Sequence, residues 1–177
     1  MNKKAAFINA AVLATMGVVS QGALAADGTI NFTGSIVDQP CSISPNSQNL
    51  QVPLGNVTRT TLDGAVGKKS TPAKFTINLL GCGATAKNAQ ITFSGPADND
   101  NLKVNPGTAA STSLATGVAV ELEDSNGAKI ALGAASANYA LTTGDNALQF
   151  QAAYVATGSK VTSGIANAMA YFTVSYN

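Results

Sequence analysis

Apolar and polar residues alternate with a period of two along most of the chain, and this alternation is strongest at its two ends. The last stretch places four apolar side chains on one face, namely Ala170, Phe172, Val174 and Tyr176. That pattern predicts a half-buried strand that runs into the C-terminus. Residues 29–37 alternate in the same way, with Ile30, Phe32 and Ile36 on one face. They predict a first strand.

The same period predicts six further strands between these two ends. They cover residues 50–54, 74–80, 89–94, 118–123, 129–132 and 148–154. Turn sequences separate several of them, among them Gly95-Pro96 and Asp124-Ser125-Asn126-Gly127. Seven or eight short strands, with no convincing helix after residue 25, predict an all-β fold of the antiparallel β-sandwich type.

The first 25 residues have the pattern of a secretory signal peptide. Lys3 and Lys4 precede an apolar run over residues 5–19, and Ala23-Leu24-Ala25 matches a cleavage site. The run is short for a membrane-spanning helix, which needs about 20 apolar residues. We therefore expect an exported mature chain that begins at Ala26 and forms one domain.

Charge and hydropathy argue against two kinds of partner, nucleic acid and the membrane. The chain has ten basic and nine acidic residues, so removal of Lys3 and Lys4 leaves eight basic residues and a net charge of −1. A weakly charged chain without a basic run is unsuited to nucleic acid. No second long apolar segment follows residue 25, so we expect no stable membrane insertion.

The chemistry-bearing residues are few. Cys41 and Cys82 are the only cysteines, and an exported chain with two cysteines is expected to pair them. A metal site or a cysteine nucleophile are the alternatives, and the absence of histidine disfavours both. The same absence argues against the usual Ser-His-Asp sites. We expect no catalytic residues, no metal and no cofactor, and hence no enzyme.

Four features together resemble the pilin subunits of chaperone–usher fimbriae, close to the type 1 and P-pilus major subunits. They are the segment Gly28-Thr29-Ile30-Asn31-Phe32-Thr33-Gly34, the motif Pro40-Cys41-Ser42-Ile43 followed by Cys82, the penultimate Tyr176, and Gly164 at the fourteenth position from the end. The resemblance covers the whole chain. It implies an incomplete immunoglobulin-like sandwich that lacks its last strand and is completed by a donor strand from a neighbouring subunit.

The resemblance also implies a role for each segment. Residues 26–35 would be the N-terminal extension, with Gly28, Ile30 and Phe32 as the donor strand, and residues 36–177 the pilin domain. Gly28 would sit where only a small residue fits. The groove strand would carry Gly164, Ala170, Phe172, Val174 and Tyr176.

The implied partners follow from the same resemblance. A periplasmic chaperone would fill the groove first. At an outer-membrane usher, the extension of another copy or of a related pilin would then replace the chaperone. The product would be a head-to-tail polymer in a fimbrium on the bacterial surface that supports cell adhesion.

Several interpretations remain open at the level of sequence. The chain is expected to be a structural subunit, with a minor adaptor or tip subunit as the alternative. A self-complete secreted β-sandwich binding protein is a third interpretation, in which Ile30 and Phe32 pack in their own core. Only residues 26–29 precede Ile30 in the expected mature chain. Either the outermost pocket of a groove has no donor residue, or cleavage occurs upstream of Ala25.

Overall fold

The computed structural model describes residues 27–36, 39–107 and 113–177. The chain divides into two units, Met1–Val37 and Asp38–Asn177. The predicted signal peptide lies outside the described residues.

The described part of the first unit, residues 27–36, has no regular secondary structure, and all of its side chains are exposed. The apolar face of the predicted first strand is open to solvent, with Ile30 78% exposed, Phe32 91% exposed and Ile36 fully exposed. The prediction of a strand over residues 29–37 is therefore wrong for residues 29–36 of the single chain. The alternation is present, but the apolar face of the described segment is exposed.

The described residues of the second unit form ten strands and two one-turn helices. The strands are β1 Ser42–Ile43, β2 Ala73–Cys82, β3 Asn88–Ser94, β4 Ala97–Asp98, β5 Asn101–Lys103, β6 Val118–Asp124, β7 Lys129–Ile130, β8 Tyr139–Ala140, β9 Gly144–Ala156 and β10 Tyr171–Tyr176. The helices are α1 Pro45–Gln48 and α2 Arg59–Leu62. The expectation of no helix was wrong at these two places, because a single turn is too short to show a helical period.

All strand pairs are antiparallel, and the strands form two sheets. The larger sheet has the order β1-β2-β9-β6-β5-β4, with β7 also paired to β6. The smaller sheet has the order β10-β3-β8. Apolar side chains at alternate positions of both sheets form the core. At its centre the ring of Phe150 lies 5.6 Å from that of Phe75 and 5.3 Å from that of Phe93.

The smaller sheet is open on one side. Among the described residues no strand pairs with the second edge of β10. Residues 50–57 lie across the opening from the segment that leads into β10. Leu50, Val52 and Leu54 are half-buried there, and the residues between them are exposed. Residues 50–57 make no backbone–backbone hydrogen bond with the described part of the chain. The fold is an immunoglobulin-like antiparallel β-sandwich that lacks one strand, as predicted.

The predicted disulfide is formed between Cys41 and Cys82, whose Cα atoms are 4.2 Å apart. It joins the start of β1 to the end of β2. The Gly83 amide donates a hydrogen bond to the Pro40 carbonyl oxygen at 2.9 Å, next to the bridge. The beginning of the second unit is thus attached to a central strand of the larger sheet.

An ion-pair cluster lies on the face of the larger sheet that points away from the core. Glu121 and Glu123 of β6 have side chains only 6% exposed. Lys69 bonds to both carboxylates, to Glu123 at 2.7 Å, and these hydrogen bonds raise the pKa of its ammonium group. Lys69 is paired with Val155, and Glu121 with Ala153. Because Ala153 is small, the lysine can reach across β9.

Replacing Lys69 with methionine is expected to lower the free energy of unfolding by about 2 kcal/mol. The change leaves the buried Glu123 without a cation and leaves Glu121 with only Lys129, at 3.8 Å. Such a loss costs several kcal/mol in a closed site and less here because Lys69 is 39% exposed. Urea unfolding at pH 7 measures the effect, and K74M on the exposed side of β2 is the control. Equal midpoints for the two variants would contradict the role of Lys69.

Candidate functional site: an open groove beside the last strand

The largest opening in the second unit is a groove of about 910 Å³ between residues 50–55 and residues 166–172. Its floor is made by core side chains of both sheets. They are Phe75, Ile77, Phe93, Leu102, Val120, Leu122, Ala152 and Tyr154. Phe75 and Tyr154 are half-buried in this floor, and the other six side chains are buried beneath the opening.

Two further cavities lie beside the same C-terminal segment. One of about 490 Å³ is lined by Pro40, Ala86, Val174 and Tyr176. The other, of about 370 Å³, is lined by apolar residues that include Val57, Leu62 and Val118 together with residues 161–167. The three openings together follow the chain from Gly164 to Tyr176. At about 3.3 Å per residue this is roughly 40 Å of extended chain.

The groove wall contains the C-terminal residues that the sequence singled out. Phe172, Val174 and Tyr176 are half-buried and face the core, whereas the residues between them are exposed. They pair with Phe93, Ile91 and Ala89 of β3. Ala170 precedes β10, is exposed, and lines the largest opening. Burial raises the pKa of the Tyr176 hydroxyl.

Backbone groups of this wall follow the same period as its side chains. Ile165, Asn167 and Asn177 bond to neighbouring segments on the side away from the groove. In extended chain the N–H and C=O groups of successive residues point to opposite edges. The even-numbered residues from 166 to 176 therefore direct these groups to the second edge of β10. The residues that line the groove are also those that offer backbone hydrogen bonds along it.

Gly164 lies at one end of the groove in a conformation that other residues rarely adopt, with φ +154°. A Cβ atom on this residue would lie 2.5 Å from the Ala115 nitrogen, 2.7 Å from the Ser113 carbonyl oxygen, and closer still to the Leu114 carbonyl carbon. The next residue bonds to the same loop, because the Ile165 amide donates to the Ser113 carbonyl oxygen at 2.8 Å. A side chain would separate the wall from this loop.

Sequence reasoning did not identify the opposite wall of the groove. The alternation over residues 50–54 predicted a strand. Pro53 within it is typical of an edge strand or a bulge, because proline lacks an N–H donor. The structure places this segment along the groove without a strand partner. The signal was the proline inside an alternating segment.

A family model described as "Fimbrial protein" matches residues 30–177. The chain belongs to the fimbrial protein family. This fimbrial chain is 38% identical over 175 residues to a probable major fimbrial subunit, LpfA, of Escherichia coli O157:H7, covering 98% of this chain and 97% of that protein. It is 39% identical to the type-1 fimbrial protein C chain of Escherichia coli, covering 98% and 99%.

Solved pilus structures have the same fold. The crystal structure of the P pilus rod subunit PapA matches with a TM-score of 0.64 and 26% identity, over 78% of this fimbrial chain and all of that one. A chain from the structure of a chaperone–usher pilus matches with a TM-score of 0.69 and 27% identity, over 86% and 96%. The resemblance to chaperone–usher pilins is thereby confirmed.

Family membership determines the class of function. Fimbrial proteins of this family are structural subunits, so the chain is not an enzyme, and it belongs with related pilins in a surface fimbrium. Within residues 27–36, 39–107 and 113–177 there is no group of three or more metal-binding side chains. In the same ranges, no helix has the length and apolar character to cross a membrane.

Proposed function

We propose that this protein is a major fimbrial subunit that polymerises by donor-strand exchange. Residues 26–36 of one copy enter the groove of the next copy. One observation carries the proposal: the same chain has an exposed apolar stripe at Ile30, Phe32 and Ile36 and an open apolar groove beside β10.

The free energy of such an exchange has two sources. Burial of Ile30, Phe32 and Ile36 contributes roughly 1.5–3 kcal/mol for each side chain. Backbone hydrogen bonds along the second edge of β10 add to this, and together they constitute β-strand addition, which is known from chaperone–pilin complexes. Because the donor and the groove are different surfaces, the contact does not close on itself and produces a filament.

The spacing of the donor segment supports the proposal. Alternate positions from Gly28 to Ile36 number five. The even-numbered edge positions from Ala168 to Tyr176 also number five, once Ala166 is left out because its carbonyl oxygen already accepts from the Tyr154 hydroxyl. Gly28 and Gly34 supply no side chain, so the burial comes from the three apolar residues. The donor strand therefore extends beyond the predicted Gly28, Ile30 and Phe32 to include Ile36.

An open groove also explains why delivery factors are needed. An exposed strand edge beside an apolar groove is a template for aggregation. A periplasmic chaperone that fills the groove prevents this after export, and an outer-membrane usher then exchanges the chaperone for the next subunit. The fimbria that results reaches the cell surface and supports adhesion.

The test uses filaments sheared from cells that express the protein with its chaperone and usher. The sample is run on an SDS gel without heating and after boiling in acid. A ladder that collapses to one band of mature size is the expected result. A single band without heating, together with no filaments in electron micrographs, would refute polymerisation.

Alanine at Phe32 or Tyr176 is expected to reduce filament yield at least tenfold. F32A removes the largest donor side chain, and Y176A removes a half-buried part of the groove wall. T33A, on the opposite face of the donor segment, is the matched control and should assemble as the wild type does. The measurement is the amount of ladder per cell, and a wild-type yield from F32A would contradict the proposal.

A further inference from the structure

Asn105 bonds to both ends of a short stretch of the groove wall, residues 165–167. Its side-chain Nδ2 donates to the Ile165 carbonyl oxygen at 2.6 Å. Its side-chain Oδ1 accepts from the Asn167 amide at 3.0 Å. Its own amide donates to the Asn167 carbonyl oxygen at 2.6 Å. Asn105 thus satisfies both backbone groups of Asn167. It is also a second donor to the Ile165 carbonyl oxygen, which accepts from the Ala115 amide at 2.9 Å as well.

The backbone of Asn105 is held in a conformation that serves these contacts. Its φ is +49°, in the left-handed region that asparagine adopts more readily than most residues. Pro106 and Gly107 follow directly and line none of the three openings. The bend orients the amide and the side chain of one residue toward the same neighbouring segment.

Tyr154 contacts the same stretch from the groove side. Its hydroxyl donates to the Ala166 carbonyl oxygen at 2.8 Å. The side chain is half-buried in the floor, where it lines both the 910 Å³ and the 370 Å³ openings. Tyr154 thus bonds to residue 166 from the groove side, and Asn105 bonds to residues 165 and 167 from the opposite side.

We propose that Asn105 is a positioning residue for the groove, which holds residues 165–167 extended before any donor strand arrives. The inference rests on the proposed function, because it concerns how the groove receives a donor. A wall that is already ordered loses less conformational entropy on binding, and preorganisation of this kind raises affinity without a new contact. Residues 168–170, next along the wall, are then presented as a ready edge.

The test measures binding of a fluorescent peptide with the sequence of residues 26–36 to the full mature protein at low concentration. Amide hydrogen exchange of Ile165 and Asn167, the two hydrogen-bonded amides of this stretch, is followed by NMR in the absence of peptide. We expect N105G to slow peptide association about tenfold and to raise exchange at these amides at least tenfold. Glycine keeps the positive φ, so the variant removes only the side-chain bonds. N105D retains the acceptor for the Asn167 amide. Its association rate and amide exchange should lie between those of the wild type and of N105G.

Asn99 supplies the matched control. It is the other described non-glycine residue with positive φ, at +53°, and its side chain bonds only to the neighbouring Asp98. N99G should bind the peptide at the wild-type rate, with unchanged exchange at the Ile165 and Asn167 amides.

Two negative results have different meanings. If N105G binds the peptide and exchanges its amides as the wild type does, the positioning role is wrong and the proposed function stands. If the wild type fails to bind the peptide, polymerisation by donor-strand exchange is wrong. The amide hydrogen-exchange data alone then decide whether Asn105 orders the wall. Should N105G fail to fold, N105D with unchanged binding and exchange would overturn the positioning role.

Discussion

Replacing Gly164 with alanine is expected to abolish fimbria assembly and to lower the free energy of unfolding by more than about 3 kcal/mol. Two costs add at this position. The φ of +154° is unfavourable for any residue with a side chain, at roughly 1 kcal/mol or more. The new methyl group also overlaps backbone atoms of residues 113–115, which cannot rotate away as a side chain would. The overlap makes the larger contribution.

The effect on assembly should exceed the effect on stability. To relieve the overlap, residues 164–165 must move away from the loop that bonds to Ile165, and the groove then changes shape at that end. A donor strand would meet a displaced wall.

Urea unfolding of the purified protein and the gel ladder from sheared cells measure the two effects separately. G133A is the control for the backbone conformation alone. Gly133 has a φ of +83°, but a Cβ atom there would meet nothing within 4 Å. We expect about 1 kcal/mol of destabilisation and normal filaments from it. If G164A and G133A unfold at the same urea concentration, close packing at Gly164 is not the reason for a glycine there.

The long strands were predictable because each buries one face. Residues 74–80, 89–94, 118–123 and 148–154 all lie within observed strands. The alternation in these segments indicates which side chains face the core. Phe75, Ile77 and Phe150 are among those that pack there. The short strands β1, β4, β5 and β8 have two or three residues each, too few for a period to appear. Their pairing depends on neighbours that are distant in the sequence.

Burial of the outer face of β6 could not be predicted. Glu121 and Glu123 alternate with apolar residues and therefore indicate a solvent-exposed face. In the structure they are buried because Lys69 reaches them from a segment more than fifty residues away. A local pattern contains no information about such a contact.

The candidate site was predictable only in part, because in the proposed polymer the donor segment acts in the groove of a neighbouring copy. The alternation at Ile30 and Phe32 correctly indicated an apolar face, yet no local rule says that the face stays exposed in the single chain. Similarly, Gly164 could be singled out by its position, but the loop that explains it is brought there by the fold. Asn105 gave no signal in the sequence.

Replacing both Cys41 and Cys82 with serine is expected to lower the free energy of unfolding by about 4 kcal/mol. The bridge spans 41 positions, and in the chain-entropy model a loop of this length accounts for about that amount. Both positions are buried, so the two serine hydroxyls add a desolvation cost. Strand β1 has two residues and pairs only with β2, so it cannot hold the start of the second unit by itself.

Fimbria assembly, and not only the stability of the subunit, should depend on this disulfide. Cys41 follows Ile36 by five residues, so in the proposed polymer any pull on the donor strand reaches the second unit at Cys41. With the bridge intact the load passes directly into β2, which is paired with β9 along most of its length. Without it, β1 can separate from β2, and the wall at Pro40 separates with it.

Urea unfolding of the oxidised wild type, the reduced wild type and the double serine variant distinguishes the bridge from the substitutions. The two forms without the bridge should unfold at similar urea concentrations, well below that of the oxidised protein. C82S alone leaves the same loop open and should match them. If reduction leaves the midpoint of the wild type unchanged, the bridge contributes nothing to stability, and attachment of β1 must come from backbone pairing with β2.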